Sequence, residues 1–429
     1  MDRPVTFAVV GAGQRGHGYG KWLAERPERA RVLAVAEPRD HQREEFARRH
    51  GIPPERAFRS WQELAAAPRL ADAAIVATQD ADHVGPAVTL ADNGYHLLVE
   101  KPLAPTEEEC AELVRAVTDA GVLFAVCHVL RYRPYTRLVK RLLDEGRIGD
   151  VMSVQHLEPV GHWHYAHSYV RGNWRRQDTA SFMLLAKSGH DIDWLRHIVG
   201  RPIERVSSFG SLTHFRRSQQ PAGAADRCVS CAIEADCAYS APRLYLGMLR
   251  GGRQGWPVDV ITDDLTEAGV TAALREGPYG RCVYACDNDV VDHQVVAMEF
   301  GGGVTATFTM TAFTPHLDRR TQIFGTRGYL DGNGEQLTLH DFVTGEVSVH
   351  EVPSAGQDAG AGHGGGDAGL LDAFTTAVAT CDASHILSGP AESLESHRAV
   401  FAAERARLTG TVQPVGESLP RPPAPQSPA

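Results

Sequence analysis

The sequence predicts an α/β protein in two parts. The first, residues 1–148, is a doubly wound parallel sheet; the second, 149–410, is an α/β domain with a largely antiparallel open sheet. Three observations carry this. Strand-like and helix-like stretches alternate from Val5 to about residue 148, as in successive βαβ units. A glycine-rich turn, Gly11-Ala12-Gly13-Gln14-Arg15-Gly16, joins the first strand to the first helix. Beyond residue 150, strand-like stretches follow one another through tight, glycine-containing turns, which is the pattern of a meander.

Residues 5–10 are apolar apart from Thr6, as a strand buried on both faces requires. In the turn that follows, Gly11 allows the tight bend, Gly13 lets backbone approach a pyrophosphate, and Gly16 lets helix pack on strand. Gln14 and Arg15 lie at the helix N-terminus, whose free N–H groups face phosphate. A second strand, 31–36, ends in Glu37, where a carboxylate holds ribose hydroxyls and repels a 2′-phosphate. Glu37 therefore favours NAD over NADP, a preference that nearby Arg39 weakens. Helices follow at 40–50, 60–66, 85–93 and 106–120, and strands at 73–77, 96–99 and 122–126. Ligands of an open α/β sheet sit beyond the carboxyl ends of its strands. Thr78, Gln79, His83, Glu100, Lys101 and His128 occupy such positions and are the remaining candidate cofactor neighbours.

In the second part, strands are expected at 150–158, 203–215, 290–300, 303–313, 320–325, 329–331, 336–341 and 346–352. One helical stretch, 181–199, lies between the first two. Residues 216–289 form an insertion rich in cysteine, and helices 367–379 and 393–408 close the domain. Residues 411–429 read as a disordered, proline-rich tail.

Of 429 residues, 22% are charged and 43% hydrophobic, and the formal net charge is −10. That balance is ordinary for a soluble globular protein and argues against nucleic acid or an anionic membrane as partner. No apolar run reaches membrane-spanning length, and the first strand begins at Val5, so a cytoplasmic protein with reduced cysteines is expected.

Residues 11–16, Glu37, the Glu100-Lys101-Pro102 triplet and His190 with Asp193 together resemble the Gfo/Idh/MocA oxidoreductases over residues 4–410. The resemblance implies an N-terminal Rossmann domain binding NAD and a second domain whose open sheet serves substrate binding and homodimer or homotetramer contacts. It also implies a proton-carrying role for Lys101 and a catalytic position for His190. Many members carry an aspartate four residues before that histidine; here the position is Ala186, followed by Lys187.

Hydride removal from a carbinol carbon requires the hydroxyl proton to leave as well, and a desolvated lysine such as Lys101 accepts it. The alternative is a lysine paired with Glu100 at the sheet edge. On a continuous helix 181–199, Lys187 and His190 share a face, with Asp191 one turn after Lys187. Such a cluster supplies acid and base groups; the alternative is an exposed Lys–Asp pair. Asp193 reads as an orienting group.

Residues 156–176 are dense in aromatic, histidine and arginine side chains. Here His164, His167, Arg171 and Trp174 are candidate sugar contacts, against the alternative of a packed interdomain loop. Arg131, Arg171, Arg175 and Arg176 leave room for an acidic sugar. Tyr132, Asp191, His363, Asp289, Asp292, His293 and Asp367 are further substrate candidates.

Cys228, Cys231 and Cys237 lie within ten positions, and tetrahedral zinc takes four such ligands. Cys282 or Cys286 supplies the fourth, and the resemblance favours Cys282. A structural zinc is expected; reduced thiols or an iron–sulfur cluster are the alternatives. Cys110, Cys127 and Cys381 read as core.

The expected function is NAD-dependent oxidation of a ring hydroxyl of a sugar, sugar derivative or polyol. Relatives within the family suggest an alternative, an NAD-retaining glycoside hydrolase, with an acidic substrate such as a sulfoquinovoside among the options. A non-catalytic nucleotide sensor is a third class, which Lys101 and His190 argue against.

Overall fold

The computed structural model describes residues 3–352 and 362–416. Its first sheet contains β1 (Val5–Val10), β2 (Ala30–Ala36), β3 (Ala57–Phe58), β4 (Ala73–Val76), β5 (His96–Val99) and β6 (Phe124–Val126). All pair in parallel, in the order β3-β2-β1-β4-β5-β6, that of dinucleotide-binding sheets. The sequence expectation omits the two-residue β3 and the amphipathic helix Pro134–Asp144, which buries Tyr135, Val139 and Leu142.

The second sheet contains β7 (Val151–Pro159), β8 (Ile203–Ser211), β9 (His293–Phe300), β10 (Thr305–Thr311), β11 (Arg320–Gly325), β12 (Gly328–Gly332), β13 (Gln336–Asp341), β14 (Val347–Glu351) and β15 (Gln413–Pro414). Its order is β14-β13-β12-β11-β7-β10-β9-β8-β15. Every neighbouring pair is antiparallel except β7 with β10.

Three features differ from expectation. The stretch 181–199 is two helices, Met183–Ala186 and Gly189–Val199, broken at Lys187-Ser188. Serine and glycine at 188–189 explain the break, since one competes for backbone hydrogen bonds and the other costs entropy in a helix. Helix Gly366–Thr380 returns to the first sheet, where Leu370, Leu371 and Phe374 share a core with Phe7 and Val9. The start of the expected tail is ordered, since Gln413–Pro414 pairs with β8; residues 417–429 lie outside the described ones.

Candidate functional site

The glycine turn has the shape a dinucleotide needs. Gly11 has φ +91°, and a Cβ there would meet the Ala77 carbonyl at 2.5 Å; one on Gly16 would meet the Gly11 carbonyl at 2.0 Å. At Gly13 the nearest atom would be the Arg39 guanidinium at 3.8 Å, so that side is open. Helix Gln14–Ala24 starts there with no side-chain cap, leaving its N–H groups for an anion. Gln14 is exposed.

Glu37, at the end of β2, accepts from the Ala12 amide (2.8 Å) and from Arg39. Burial alone would raise its pKa, but these donors hold the carboxyl below its usual range. Glu37→Ala is therefore expected to raise KM for NAD about tenfold and to narrow the NAD/NADP preference. Unchanged kinetics with both nucleotides would remove the ribose role.

Arg15 binds Glu100, Tyr19 and Asp367, tying the turn to β5 and to the returning helix. Thr78 and Gln79 lie beyond β4, with the Thr78 hydroxyl donating to Asp82. His83 is turned inward onto the Pro102 and Thr78 carbonyls, so it supports the 100–102 turn rather than facing a ligand.

Lys101 follows β5 through a cis Lys101–Pro102 bond, and its Nζ donates to the Ala186 carbonyl at 2.7 Å. Burial lowers its pKa, opposed by Asp80 and Glu100 and reinforced by Lys187. His190 lies alongside. Burial, with Lys101 next, depresses its pKa well below the usual value, and no protein group holds its Nδ1. Its ring stands 5.8 Å from that of His363, which bonds Asp367, and 6.1 Å from that of His128.

His128 is buried behind Lys101, with a void of about 10 Å³ between them, enough for one water. Burial pushes its pKa down to about 3. A histidine depressed in the fold binds its proton on unfolding, so its stabilisation is present above about pH 6.5 and is lost as pH falls towards 3. For His128 the loss is about 2 kcal/mol at pH 5. A lower Tm at pH 5 than at pH 7.5 is expected, smaller in His128→Gln; equal pH sensitivity in both proteins would remove this assignment.

Lys187 does not share a helix face with His190, because it occupies the break. It pairs with Glu158 (3.0 Å), not with Asp191. Asp191 is buried between His156 and Arg319, and Arg319 also reaches Glu158 at 2.8 Å. His164 stands against Trp256 and His316, with Trp163 beside them.

Several expected substrate residues are placed elsewhere. Arg131 is bidentate on buried Asp193, and the Tyr132 hydroxyl bonds Ser388 and the Leu387 amide. Arg175 pairs with Asp287 and Arg176 with Asp178. His167 bonds Tyr245 and stacks on Tyr279, and Trp174 is 38% exposed beside Tyr169. Asp289 and Asp292 accept backbone amides at 177 and 213–214, and His293 rests on Asp292. The arginines offered for an acidic sugar are thus all engaged, Arg171 at the cysteines.

Cys228, Cys231, Cys237 and Cys282 line one cavity, whereas Cys286 bonds the Cys282 carbonyl. Among the described residues, no three His, Cys, Asp or Glu side chains are gathered closely enough to hold a single metal ion. The placement therefore gives the expected zinc no support. Cys110 and Cys127 are buried, but Cys381 is exposed at a helix end.

Sequence reasoning missed Glu158, Arg319, Trp163, Trp256 and His316. For Glu158 a signal existed: it sits near the carboxyl end of β7, as Lys101 does at β5. Trp256 and Arg319 are brought in from distant segments and left none.

An NAD-type turn, a lysine at the end of β5 and a second α/β domain bearing histidine and lysine define a two-domain dinucleotide oxidoreductase. Residues 5–128 match the oxidoreductase family's NAD-binding Rossmann fold, and residues 140–362 match its C-terminal alpha/beta domain. The chain belongs to the Gfo/Idh/MocA oxidoreductase family.

It is 24% identical over 322 residues to the putative oxidoreductase YteT of Bacillus subtilis, covering 70% of this chain and 71% of that protein. It is 27% identical over 211 residues to the 2,7-anhydro-N-acetylneuraminate hydratase of Escherichia coli, covering 49% of this chain and 54% of that one. The match thus spans about half of the hydratase. A levoglucosan dehydrogenase solved with NADH shares the fold, with a TM-score of 0.70, 18% identity, and coverage of 97% of this chain and all of that one (100%). Among the described residues no helix is long and apolar enough to cross a membrane.

Proposed function

We propose that this protein oxidises a hydroxyl of a neutral sugar, sugar derivative or polyol with NAD. The observation that carries the reading is Lys101, desolvated at the end of β5 with Nζ spending one N–H on Ala186, beside a neutral His190. Bound NAD supplies the hydride acceptor. Lys101 takes the hydroxyl proton at Nζ as the carbinol becomes a carbonyl. His190 accepts a hydrogen bond from substrate at its free Nδ1. The Lys187–Glu158 pair places a donor beside an acceptor, which suits adjacent hydroxyls. Arg131, Arg175 and Arg176 are held in ion pairs and Arg171 is turned onto the Arg281 and Tyr239 carbonyls, which is the reason to prefer a neutral substrate over a sulfoquinovoside.

One observation favours a second reading. The Lys187–Glu158 pair, His164 and the His363–Asp367 pair exceed what a single oxidation requires. Such groups would serve the elimination and hydration steps of an NAD-retaining glycosidase. Purified protein with NAD and a panel of free sugars, polyols and aryl glycosides separates the two. NADH rising with consumed sugar supports the oxidoreductase, and aglycone release without net NADH supports the glycosidase. Silence across the panel would sink both.

The sheet's outer face exposes Phe209 opposite Val295, and Val349 on β14, which supports self-association through it. Light scattering giving a monomer at micromolar concentration would remove that part of the proposal.

A further inference from the structure

Trp163 and Trp256 are large apolar side chains that belong to none of the protein's hydrophobic cores, and both are only half-buried. Their ring centroids lie 5.3 Å apart, with the planes inclined at 49°. His316 stands 5.1 Å from Trp163 and 5.4 Å from His164, and His164 meets Trp256 edge-on at 5.0 Å. A tryptophan whose work is packing sits in a core. A pair of indoles outside every core leaves aromatic surface to a ligand.

Three separate segments bring these four rings together. Trp163 and His164 lie on the short helix His162–Tyr165 that follows β7. His316 lies between β10 and β11, and Gly161 admits it: at φ +88°, a Cβ there would meet His316 Cα at 2.7 Å. Trp256 comes from the insertion, where Val258 is buried in a small core with Tyr245, Val270 and Leu274. His167, bonded to Tyr245 and stacked on Tyr279, backs Trp256 edge-on at 5.5 Å. The insertion thus holds one indole in a fixed place against the second domain.

The rings adjoin the polar part of the site. Trp163 and His164 follow closely on Glu158, and His316 lies just before Arg319, which holds Glu158 at 2.8 Å. Burial first, and then the charge of Lys187, lowers the pKa of both His164 and His316. We propose that Trp163 and Trp256 form a second subsite, which takes the aglycone ring of a glycoside whose sugar ring lies at Lys187–Glu158 and Lys101. This rests on the oxidation reading and narrows its substrate from any sugar or polyol to a glycoside. Indole faces pack on the C–H face of a pyranose or on an aryl ring, and the neutral histidines bond hydroxyls at its edge. A free polyol would leave the indoles uncovered. The second ring takes no part in the redox step, and the glycosidic bond stays whole in it.

NADH formation and tryptophan emission of the full-length, NAD-loaded protein provide the test. The probes are glucose, galactose and mannose, their methyl and phenyl glycosides, cellobiose and lactose. A phenyl glycoside or disaccharide should show kcat/KM about tenfold above its parent sugar. Trp256→Ala should lose most of that preference, and Trp256→Phe, which keeps a ring, should retain it. Equal kcat/KM for parent sugar and glycoside in the wild-type protein would overturn the subsite, as would a preference that Trp256→Ala leaves intact. The wild-type comparison decides even if a variant fails to fold. Emission separates the subsite from the oxidation reading. Saturable quenching, tighter with phenyl glycosides or disaccharides than with parent sugars but without NADH, would keep the subsite and end the oxidation; NADH without preference would do the reverse. Emission that no phenyl glycoside or disaccharide changes would overturn the subsite. Tighter binding of phenyl glycosides than of disaccharides identifies an aryl aglycone, and the opposite order a second sugar.

Discussion

Lys101→Ala is expected to lower turnover by about 10²–10⁴-fold, the usual span for a lost general base, while NAD still binds. Three observations set this size. The lysine's one fixed hydrogen bond is to a carbonyl, Ala186, so Asp80 and Glu100 favour its charged form only from a distance. Burial lowers its pKa, with Lys187 adding to the effect. The groups that fix the nucleotide turn, Gly11, Gly16 and Glu37, do not touch its side chain, so cofactor affinity should change little.

The sign of the pH profile follows. A proton acceptor works when deprotonated, so turnover should rise with pH through the lowered lysine pKa. Lys101→Arg, which stays protonated, should be as poor as alanine. Steady-state kinetics with nucleotide binding by fluorescence provides the test. Near-normal turnover in Lys101→Ala would end its assignment as proton carrier.

The legible parts of the molecule are those written in short range. Gly11, Gly13 and Gly16 act through the shape of six consecutive residues, and Glu37 through its place at a strand end, so spacing alone locates them. Much of the second sheet likewise comes from adjacent hairpins, β9 with β10 and β11 through β14, whereas β7 enters between β10 and β11 from far back in the chain. What spacing misses depends on where a chain bends or returns. The Lys187-Ser188 break turns Lys187 from its expected helix face to Glu158, a residue on β7. Helix Gly366–Thr380 joins the first core because its apolar face fits there, a tertiary choice with no local mark. Arginines mislead most. Their charge suggests an anionic ligand, yet Arg131, Arg175 and Arg176 meet carboxylates and Arg171 meets carbonyls and sulfur.

Arg131→Met is the substitution that separates an interior role from a ligand-binding one, and its cost should be about 3–5 kcal/mol of stability, with Tm lowered by roughly 5 °C. Arg131 Nε and Nη2 hold both oxygens of Asp193 at 2.8 and 2.7 Å, and Nη1 bonds the Leu387 carbonyl. That joins the segment after β6 to helix Gly189–Val199 and to the approach of helix Pro390–Thr409. Asp193 also accepts from Ser396 at 2.8 Å.

Burial alone would raise the Asp193 pKa, but Arg131 holds it below the carboxylate range. This stabilisation is therefore present above about pH 4 and is lost only as pH falls through the depressed value. Without Arg131, burial dominates, the folded-state pKa rises, and mild acid should partly restore the variant. The double variant Arg131→Met with Asp193→Leu should recover much of the loss, since it leaves no buried charge unpaired. Thermal unfolding at pH 7.5 and pH 5.5 measures all of this. A stable Arg131→Met with a tenfold higher sugar KM would instead return Arg131 to the substrate.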